Sequence, residues 1–410
     1  MTLEVVKFGG GSLRSPEDMK AAAGRIAGFR RRGADVVVVV STMQGSTDRL
    51  PGLAGRLRGS RHCREVDQLL STGEQQRVAL LAMSLEREEL EAVSLSGPQA
   101  GIHASGRYGD GRITKVDPRP VSEILKRGGV PIVAGFQARN GNGDVITLGR
   151  GGSDVSAVAL AAALEADHCF VLKDVPAVYS ADPGIVPQAR KLGRISCEEC
   201  MEMAAAGAKV IQARSVELAA RYGVPVYVAG SFSDEKGTWI MREDVCESLI
   251  VRSIVSDRNV AKVAVLGVPD IPGIAAGLFG RLSAGGVGAE MIIQSVMRGQ
   301  VNDIAFLVKK EFLGEAIDIC RDIVREIGAQ GVAFDTEIGK VTAIGAGIAN
   351  HPEVPSKMFS KLASENINID MISSTSMSIT CVVAAGDVDG AVRCLHREFI
   401  SGGDGPQAFA

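Results

Sequence analysis

A glycine-rich turn that runs into a small-residue helix is the segment with the clearest chemistry. Gly149-Arg-Gly-Gly-Ser-Asp154 combines three glycines, one arginine and a Ser-Asp pair ahead of a predicted helix. Glycines let the backbone approach a ligand, and a helix start offers unpaired N–H groups and a positive dipole end. Arg150 adds a planar fork for a carboxylate or phosphate. The pattern predicts an anion site, and an ordinary glycine-rich loop with a Ser or Asp N-cap is the alternative.

This turn lies within a regular alternation of strands and helices. Apolar, β-rich runs predict strands at residues 3–8, 35–40, 91–95, 130–134, 169–173 and 224–228. Helical patterns lie near residues 16–32, 64–85, 119–127, 152–166, 197–206 and 212–222. The uninterrupted valines after Asp35 are typical of a strand buried on both faces of a parallel sheet. The alternation predicts an α/β sandwich with a mainly parallel sheet.

Polar motifs follow three of the predicted strands. Lys7 to Ser12 come after the first strand, Ser41 to Asp48 after the second, and Lys173 to Asp182 after a late one. Ligands of such sheets bind at the carboxyl ends of the strands. We therefore expect these segments to line the ligand-binding edge.

An internal repeat replaces this pattern beyond about residue 255. Residues 272–292 align without gaps with residues 352–372, at a constant offset of 80. The matched pairs are Pro272 with Pro352, Phe279 with Phe359, Leu282 with Leu362, Met291 with Met371, and Ile292 with Ile372. Each copy is predicted to run strand, turn, helix, strand and a further strand. The length of the repeat favours two copies of a small domain over a solenoid.

Composition sets the broad class of protein. The 410 residues are 46% hydrophobic and 23% charged, which predicts a globular chain of two or three domains. A net charge of -3 gives no electrostatic case for a nucleic acid or membrane partner. No signal peptide or membrane span is evident, so a soluble cytoplasmic protein is expected. The eight cysteines are expected to be reduced, and the lone Cys197/Cys200 pair lacks the partners that a metal site needs.

Several motifs in a fixed order carry a resemblance to a known family. They are Lys7 to Ser12, Ser41 to Asp48, Ser71 to Glu74, Gly135-Phe136, Gly149 to Asp154, Asp174 to Pro183, Gly207 to Val210, Val268 to Gly273 and Ile367 to Ile372. This chain resembles the amino acid kinase superfamily, most closely the aspartate kinase family with two ACT regulatory domains. The resemblance implies an αβα sandwich with a mainly parallel sheet, followed by two ferredoxin-like α+β ACT domains. The implied boundaries are 1–255 for the kinase domain and 256–335 and 336–410 for the ACT domains.

The resemblance implies ATP-dependent phosphorylation of the side-chain carboxylate of L-aspartate to 4-phospho-L-aspartate. Such a site positions two anions and neutralises their charge, so no covalent nucleophile is required. Lys7 resembles the lysine that holds the transferring phosphoryl group, and Asp154 resembles the aspartate that orients it. The nucleotide contacts implied are Lys7, Gly9, Gly10, Asp174, Tyr179, Asp182 and Lys209. Mg²⁺ is implied as an ion bridging the phosphates, with no protein metal ligand assigned.

The amino acid substrate is implied to bind at the glycine-rich turn. Arg150 resembles a bidentate clamp on a substrate carboxylate, helped by Ser153 and Thr47, and Phe136 belongs to the same substrate set. Glu74 is implied to receive the substrate ammonium group. Without the resemblance, Ser71 to Glu74 also has the composition of a box at a helix N-terminus.

The tandem ACT domains imply allosteric control by a small amino acid. Related enzymes bind lysine, threonine or both between ACT domains of neighbouring subunits, so a homo-oligomer is expected. The positions that match effector contacts are Asp270, Gly273, Ala275, Gln294, Asn368 and Ile369. The second copy lacks the usual Glu and Arg near Ser373 to Ser378, so effector binding is retained, altered or lost.

The chain departs from the family pattern mainly at nucleotide positions. Gly11 and Lys173 both stand where the family usually has threonine. The other departures are Pro176-Ala177 for Asp-Gly, Gly184 for arginine, and Gln212-Ala213 for His-Pro. Two alternatives therefore stay open: a paralogue that phosphorylates a related acidic amino acid, and a non-catalytic amino-acid sensor. The sensor predicts damage at the phosphate-handling positions, where Lys7, Arg150, Asp154 and Lys209 are all present.

Overall fold

The chain forms two compact units. A computed structural model describes residues 2–41, 50, 52, 63–208, 211–242, 250–295 and 301–401. The first unit comprises Met1–Tyr179, Arg190–Ala205 and Lys209–Cys246, and the second comprises Ser180–Ala189, Ala206–Ala208 and Glu247–Ala410. The domain boundaries proposed from the sequence stay predictions.

The first unit contains the strands that alternate with helices in the sequence. Its strands are β1 Leu3–Phe8, β2 Asp35–Val40, β3 Ala92–Leu95, β4 Ile102–Arg107, β5 Asp110–Val116, β6 Val130–Ala134, β7 Gln137–Arg139, β8 Val145–Thr147, β9 His168–Lys173, β10 Arg194–Ser196, β11 Val226–Gly230 and β12 Thr238–Met241. Its helices are α1 Pro16–Arg31, α2 Arg64–Leu85, α3 Arg119–Lys126, α4 Gly152–Ala163, α5 Cys197–Ala206 and α6 Ala213–Tyr222.

An eight-stranded sheet forms the centre of this unit. Its order is β10-β12-β11-β9-β1-β2-β6-β3, and among the described strands only the β11–β12 pair is antiparallel. The valines of β2 are fully buried, as expected for a strand covered on both faces. Lys7 and Lys173 lie at the carboxyl ends of the neighbouring strands β1 and β9.

Local sequence accounts for where α1 begins and ends. Ser15 caps it by accepting a hydrogen bond from the Asp18 backbone N–H, and the Asp18 side chain accepts from the Ser15 N–H in return. Pro16 occupies the first turn, where no N–H is needed. The helix ends before Gly33, whose φ of 84° is a left-handed conformation that favours glycine.

A second, four-stranded sheet lies beside the large one, with the order β5-β4-β7-β8. The sequence patterns did not predict it, because its strands are short or polar and lack a clear alternation. It matters for the site, because β7 follows Gly135-Phe136 directly and β8 leads into the glycine-rich turn.

The second unit contains two α+β domains of similar topology. Its strands are β13 Ser253–Asp257, β14 Val260–Pro269, β15 Glu290–Gln294, β16 Val301–Lys309, β17 Gly331–Asp335, β18 Ile338–Ile344, β19 Met371–Ser374 and β20 Ser378–Ala384. Its helices are α7 Ile274–Ala284, α8 Leu313–Ile327, α9 Glu353–Ser364 and α10 Val388–His396.

The two sheets of this unit are related as the repeat in the sequence requires. The first sheet has the order β15-β16-β14-β17 and the second β13-β18-β20-β19. In each copy a strand, a helix and two further strands follow one another, which confirms the element order predicted for the repeat. The fourth strand of the second sheet is β13, which precedes the first copy in the chain and pairs antiparallel with β18.

Most predicted elements of the first unit are confirmed, with shifted ends for two of them. α4 ends at Ala163 and not at residue 166, and β11 covers Val226–Gly230, two residues later than the predicted strand. The predicted fold class, an αβα sandwich followed by two ferredoxin-like ACT domains, is confirmed. None of the helices within the described residues is long and apolar enough to span a membrane.

Candidate active site

A buried ion pair lies at the carboxyl end of the central strands. The Nζ atom of Lys7 lies 2.6 Å from Oδ1 of Asp154, and the two side chains are 5% and 4% exposed. Lys7 is held there by β1, the fifth strand of the eight. Asp154 is held by the first turn of α4, where Gly151 precedes the helix as its N-cap. The two residues that the sequence analysis assigned to phosphoryl transfer are therefore in contact.

A second lysine contacts the same carboxylate. Lys173 Nζ lies 3.4 Å from Oδ2 of Asp154, and its side chain is 15% exposed. Lys7 pairs with Val171 in the β1–β9 register, and Lys173 is two residues beyond Val171. Because side chains alternate along a strand, the two lysines project from the same face of the sheet. The sequence analysis noted Lys173 as a departure and did not count it among the site residues.

The charges of this cluster depend on one another. Burial by itself would raise the pKa of Asp154, but the ammonium groups of Lys7 and Lys173 outweigh burial and lower that pKa to about 2. Burial lowers the pKa of Lys173, an effect that Asp154 opposes and the Lys7 charge reinforces. Asp154 is therefore ionised at neutral pH and bound by two cationic side chains.

The glycine loop after β1 is held against the end of β9. The Gly9 N–H donates to the Leu172 carbonyl oxygen at 2.8 Å, and Gly10–Ser12 form a short 3-10 turn. A Cβ atom on Gly9 would lie 3.2 Å from that same carbonyl oxygen, and one on Gly11 would lie 3.3 Å from Oδ2 of Asp174. Asp174 is itself exposed. The structure thus brings Gly9, Gly10 and Asp174 to the strand ends that carry the two lysines.

Ser12 and Ser231 connect this loop to Lys173. Their hydroxyl groups are hydrogen-bonded to each other, and the Ser231 hydroxyl also contacts the Lys173 carbonyl oxygen at 3.0 Å. The Ser231 backbone N–H donates to that carbonyl at 2.7 Å. Ser231 is a supporting residue that the sequence analysis missed, because it follows a strand without any motif.

The glycine-rich turn has the backbone that its sequence predicts. Gly149 and Gly151 both have φ of 76°, in the left-handed region that favours glycine. A Cβ atom on Gly152 would lie 2.7 Å from the Leu148 Cβ, so a larger residue would not fit there. Arg150 is exposed, and its carbonyl oxygen accepts a hydrogen bond from Gln212 Nε2 at 3.0 Å. The turn therefore presents Arg150 outward while the start of α4 is buried.

The Gly135-Phe136 segment packs against the same helix start. A Cβ atom on Gly135 would lie 2.7 Å from the Ser153 Cβ, which explains the glycine. Phe136 has φ of 68°, a strained value for a residue other than glycine. The Phe136 N–H donates to the Ser156 hydroxyl at 3.1 Å, which stabilises this conformation. Phe136 and Ser153, both predicted substrate residues, thus lie on adjoining backbone.

Glu74 lies well inside a helix. α2 begins at Arg64, with Cys63 as its N-cap, so the interpretation of Ser71 to Glu74 as a helix N-terminal box is wrong. Glu74 is 1% exposed. α2 packs against β6 and β8, the strands that lead into Gly135 and the glycine-rich turn. Glu74 is thus on a helix beside both substrate segments.

Asp67 is a buried carboxylate that the sequence analysis overlooked. It lies on the same helix face as Ser71 and Glu74, because residues spaced by three or four share a face. Its Oδ2 accepts hydrogen bonds from the backbone N–H groups of Thr147 at 2.7 Å and Gly109 at 2.9 Å. Asp67 therefore fixes the strand that leads into the glycine-rich turn. The spacing of the three polar residues was the available signal.

Two predicted nucleotide residues, Tyr179 and Asp182, lie in the segment that follows β9. Tyr179 is half-buried, and its backbone forms an isolated β-bridge with Lys191. Asp182 is exposed and belongs to the second unit. Its side chain accepts a hydrogen bond from the Gly184 N–H at 2.8 Å. Thr47 and Lys209 lie outside the described residues.

The predicted effector residues lie in the second unit. Asp270 and Ala275 are exposed on either side of Gly273. Gly273 is the N-cap of α7 and has a φ of 101°. Asn302 Nδ2 donates to Asp270 Oδ1 at 3.3 Å. Gln294 is exposed at the end of β15, an edge strand. Asn368 and Ile369 lie between α9 and β19 of the second copy.

The Cys197 and Cys200 thiols are both buried at the start of α5. Burial raises the pKa of Cys197 to about 11 and that of Cys200 to about 12, so both are protonated thiols at neutral pH. Within the described ranges, the structure contains no group of three His, Cys, Asp or Glu side chains placed to hold a metal ion.

Known proteins share both the sequence and the fold of this chain. Residues 2–230 match the amino acid kinase family, and residues 341–399 match the ACT domain. An aspartokinase from Pseudomonas aeruginosa is 43% identical over 402 residues, which cover 97% of this chain and 98% of that protein. The chain belongs to the aspartokinase family. An aspartokinase from Thermus thermophilus is 41% identical over 97% of this chain and 99% of that protein.

Solved aspartokinase structures agree with this assignment. Aspartate kinase from Synechocystis is 38% identical, with a TM-score of 0.55 over 100% of this chain and 71% of that one. Aspartokinase III from Escherichia coli, in complex with aspartate and ADP, has a TM-score of 0.78 over 96% of this chain and 99% of that one, at 24% identity. The latter match shows a shared fold. The predicted enzyme class, a phosphotransferase with a carboxyl acceptor, is confirmed by these matches.

Proposed function

We propose that this protein transfers the γ-phosphoryl group of ATP to the side-chain carboxylate of L-aspartate, forming 4-phospho-L-aspartate and ADP. The observation that carries the proposal is the buried Lys7–Asp154 pair at the strand ends. The glycine loop follows Lys7 directly, and the arginine-bearing turn leads into the helix that carries Asp154. This arrangement suits a site that holds a polyanion and a carboxylate next to each other.

The phosphate side consists of charged groups at strand ends. Lys7 contacts the transferring phosphoryl group, and Asp154 fixes the position of the Lys7 ammonium group through their ion pair. Backbone N–H groups of the loop containing Gly9 and Gly10 bind phosphate oxygens. Asp174, beside Gly11, contacts the nucleotide, and the family resemblance implies further nucleotide contacts from Tyr179, Asp182 and Lys209.

Mg²⁺ fits this site as an ion held chiefly by phosphate oxygens. Among the residues that the structure describes, no three His, Cys, Asp or Glu side chains are grouped to hold a metal ion. Asp174, which is exposed beside Gly11, places a carboxylate at the phosphate loop. When bound, the ion neutralises phosphate charge.

The acceptor side orients the amino acid. Arg150 binds a substrate carboxylate through two parallel hydrogen bonds, with Ser153 and Thr47 beside it. Glu74 receives the substrate ammonium group, which selects an amino acid over a plain dicarboxylate. Phe136, held by the backbone of the same turn, shapes the pocket next to Ser153.

The reaction needs positioning more than acid–base chemistry. The aspartate side chain is ionised at neutral pH, so no base has to remove a proton from it. One of its oxygens forms a bond to the γ-phosphorus while the bond from that phosphorus to the β–γ bridging oxygen breaks. ADP leaves with the electron pair of the broken bond. Lys7 offsets the charge that these oxygens share during transfer.

A coupled ADP-release assay with MgATP and a panel of acceptors tests the proposal. We expect turnover with L-aspartate and at least 100-fold lower kcat/KM with L-glutamate and with succinate, which lacks the ammonium group. Turnover of another acidic amino acid while aspartate is inert would favour a paralogue with a different substrate. Binding of amino acids without any turnover would favour a sensor.

The variant Glu74→Gln, assayed with the same acceptors, tests whether Glu74 binds the substrate ammonium group. The variant should lose most of the preference for aspartate over succinate, because the carboxylate that faces the ammonium group is gone. Glu91→Gln, at a surface position ahead of β3, is the control that should leave the preference unchanged.

The second unit is proposed to bind an amino-acid effector, lysine or threonine or both, in a homo-oligomer joined through its ACT domains. The support is the exposed set around Asp270, which Asn302 of β16 contacts ahead of α7, while the end of β15 pairs with the same strand β16 at Ile304. Asp270→Ala should raise the effector concentration for half-inhibition at least tenfold while the uninhibited rate stays within twofold. Unchanged inhibition would mean that the effector binds elsewhere.

A further inference from the structure

Two departures from the family pattern meet at the phosphate side of the site. Lys173 and Gly11 each replace a residue that the family pattern has as threonine. The Cγ of Lys173 lies 3.7 Å from where a Cβ on Gly9 would be, and Gly11 faces the carboxylate of the next residue, Asp174. Lys173 and Gly11 thus both lie at the phosphate loop.

The ammonium group is placed as a ligand-binding group would be. Lys173 ends β9 on the sheet face that carries Lys7, and both ammonium groups approach Asp154, at 3.4 and 2.6 Å. The carbonyl oxygen of Lys173 is fixed by Ser231, so the strand end that carries the side chain is held in place.

The charge of the cluster indicates what it binds. Two ammonium groups contact the buried carboxylate of Asp154, and the charge of exposed Asp174 also acts on Lys173. Both ammonium groups lie beside a glycine loop at the carboxyl ends of strands, where backbone N–H groups and cationic side chains suit a polyanion.

We propose that Lys173 is an additional phosphate-binding lysine, whose ammonium group contacts the nucleotide phosphates next to Lys7. This inference rests on the proposed function for the choice of ATP as ligand. The ammonium group of Lys173 is a charged donor, which makes a stronger bond to phosphate than a neutral donor does.

Calorimetric titration of the full chain with MgADP tests this role without any amino-acid substrate. Lys173→Met keeps the length of the side chain and removes its charge, and it should weaken MgADP binding about 10- to 100-fold, the range for a lost charge-assisted hydrogen bond. Aspartate binding should stay within threefold. Lys126→Met, which removes an exposed lysine at the end of α3, is the charge-matched control and should change neither affinity.

Proton uptake separates ligand contact from a purely structural role. Burial holds the pKa of free Lys173 below its usual range, and a bound phosphate would raise it again. At alkaline pH, binding of MgADP to the parent chain should therefore take up protons, measured in buffers of different ionisation enthalpy. This uptake should be reduced in Lys173→Met and kept in Lys126→Met.

Lys173→Thr is the second variant, since the family pattern tolerates threonine in this fold. It should weaken MgADP binding at least fivefold and reduce the proton uptake as well. Nucleotide affinity within twofold of the parent in either folded variant, with unchanged proton uptake, would overturn the proposal. A parent chain that binds MgADP but does not phosphorylate aspartate would contradict the proposed acceptor and leave the role of Lys173 supported by these titrations.

Discussion

The phosphate side of the candidate site is buried and charged, whereas the acceptor side presents an exposed arginine on a glycine turn. Lys7, Asp154 and Lys173 are fixed by two neighbouring strands and a helix start. Arg150 is exposed, with left-handed glycines on both sides, and its carbonyl oxygen accepts a hydrogen bond from Gln212.

The difference implies that the two sides can be perturbed separately. Changes among the buried charges should act on the nucleotide, on phosphoryl transfer and on stability. Changes at the turn should act on the amino acid. The predictions below test this division, from the largest expected effect to the smallest.

Lys7→Met should lower kcat about 10³-fold or more, because the charge that stabilises the transferring phosphoryl group is lost. Coupled ADP release at saturating aspartate measures the change, with Lys126→Met as control. A variant within tenfold of the parent would show that Lys7 does not contact the transferred group.

Arg150→Gln should raise the KM for aspartate about 100-fold, because a bidentate carboxylate contact is lost. The KM for MgATP should stay within threefold of the parent, since the phosphate side is untouched. Arg127→Gln, at an exposed position after α3, is the matched control. Equal increases in the KM for aspartate and the KM for MgATP would show that the two sides of the site do not act separately.

Asp154→Asn should remove a pH dependence of stability. The pKa of Asp154 is about 2 in the folded chain, below its ordinary value of 3.8. The ionised carboxylate therefore stabilises the fold fully above about pH 4, and the stabilisation is lost as the pH falls toward 2.

The measurement is urea unfolding followed by the fluorescence of the single tryptophan, Trp239, which lies in the first unit. Asp154→Asn should be the less stable chain at pH 5, and the difference in unfolding free energy should shrink by about 2 kcal/mol by pH 2. A difference that stays constant over this range would contradict the buried pairing of Asp154.

Gly151→Ala should destabilise the first unit by about 1–2 kcal/mol, because alanine is strained at a φ of 76°. The added Cβ would also lie 3.0 Å from Gln212. The KM for aspartate should rise, since the turn that presents Arg150 is displaced. Gly141→Ala, at an open loop position with no atom within 4 Å, should change neither quantity. Equal effects at the two glycines would argue against a special role for the turn.

Much of the fold follows from patterns in the sequence. The run of valines predicts the buried strand β2, and the capping box at Ser15 predicts the start of α1. The constant offset of 80 residues predicts the two copies of the repeat. The short strands of the second sheet could not be predicted, because pairing with distant residues, and not their own alternation, makes them strands. The contribution of β13 to the second ACT sheet is likewise a long-range pairing without a local signal.

The residues of the candidate site show the same contrast between local signals and long-range contacts. Lys7, Asp154 and Gly149 to Gly152 carry their signals locally, because glycines and a helix start have recognisable sequence. The sequence marked Lys173 only as a departure from the family pattern. Its contact with Asp154 could not be predicted, because that contact depends on the register of β1 and β9. Asp67 and Ser231 act by holding backbone that is far away in the sequence, so only the structure reveals them.

Trapping of the product tests the central claim most directly. The chain is incubated with MgATP and L-aspartate in the presence of hydroxylamine, which converts an acyl phosphate into a hydroxamate. We predict aspartate 4-hydroxamate in an amount equal to the ADP released, and none with Lys7→Met. ADP release from the parent chain without hydroxamate would contradict phosphorylation of the aspartate side chain.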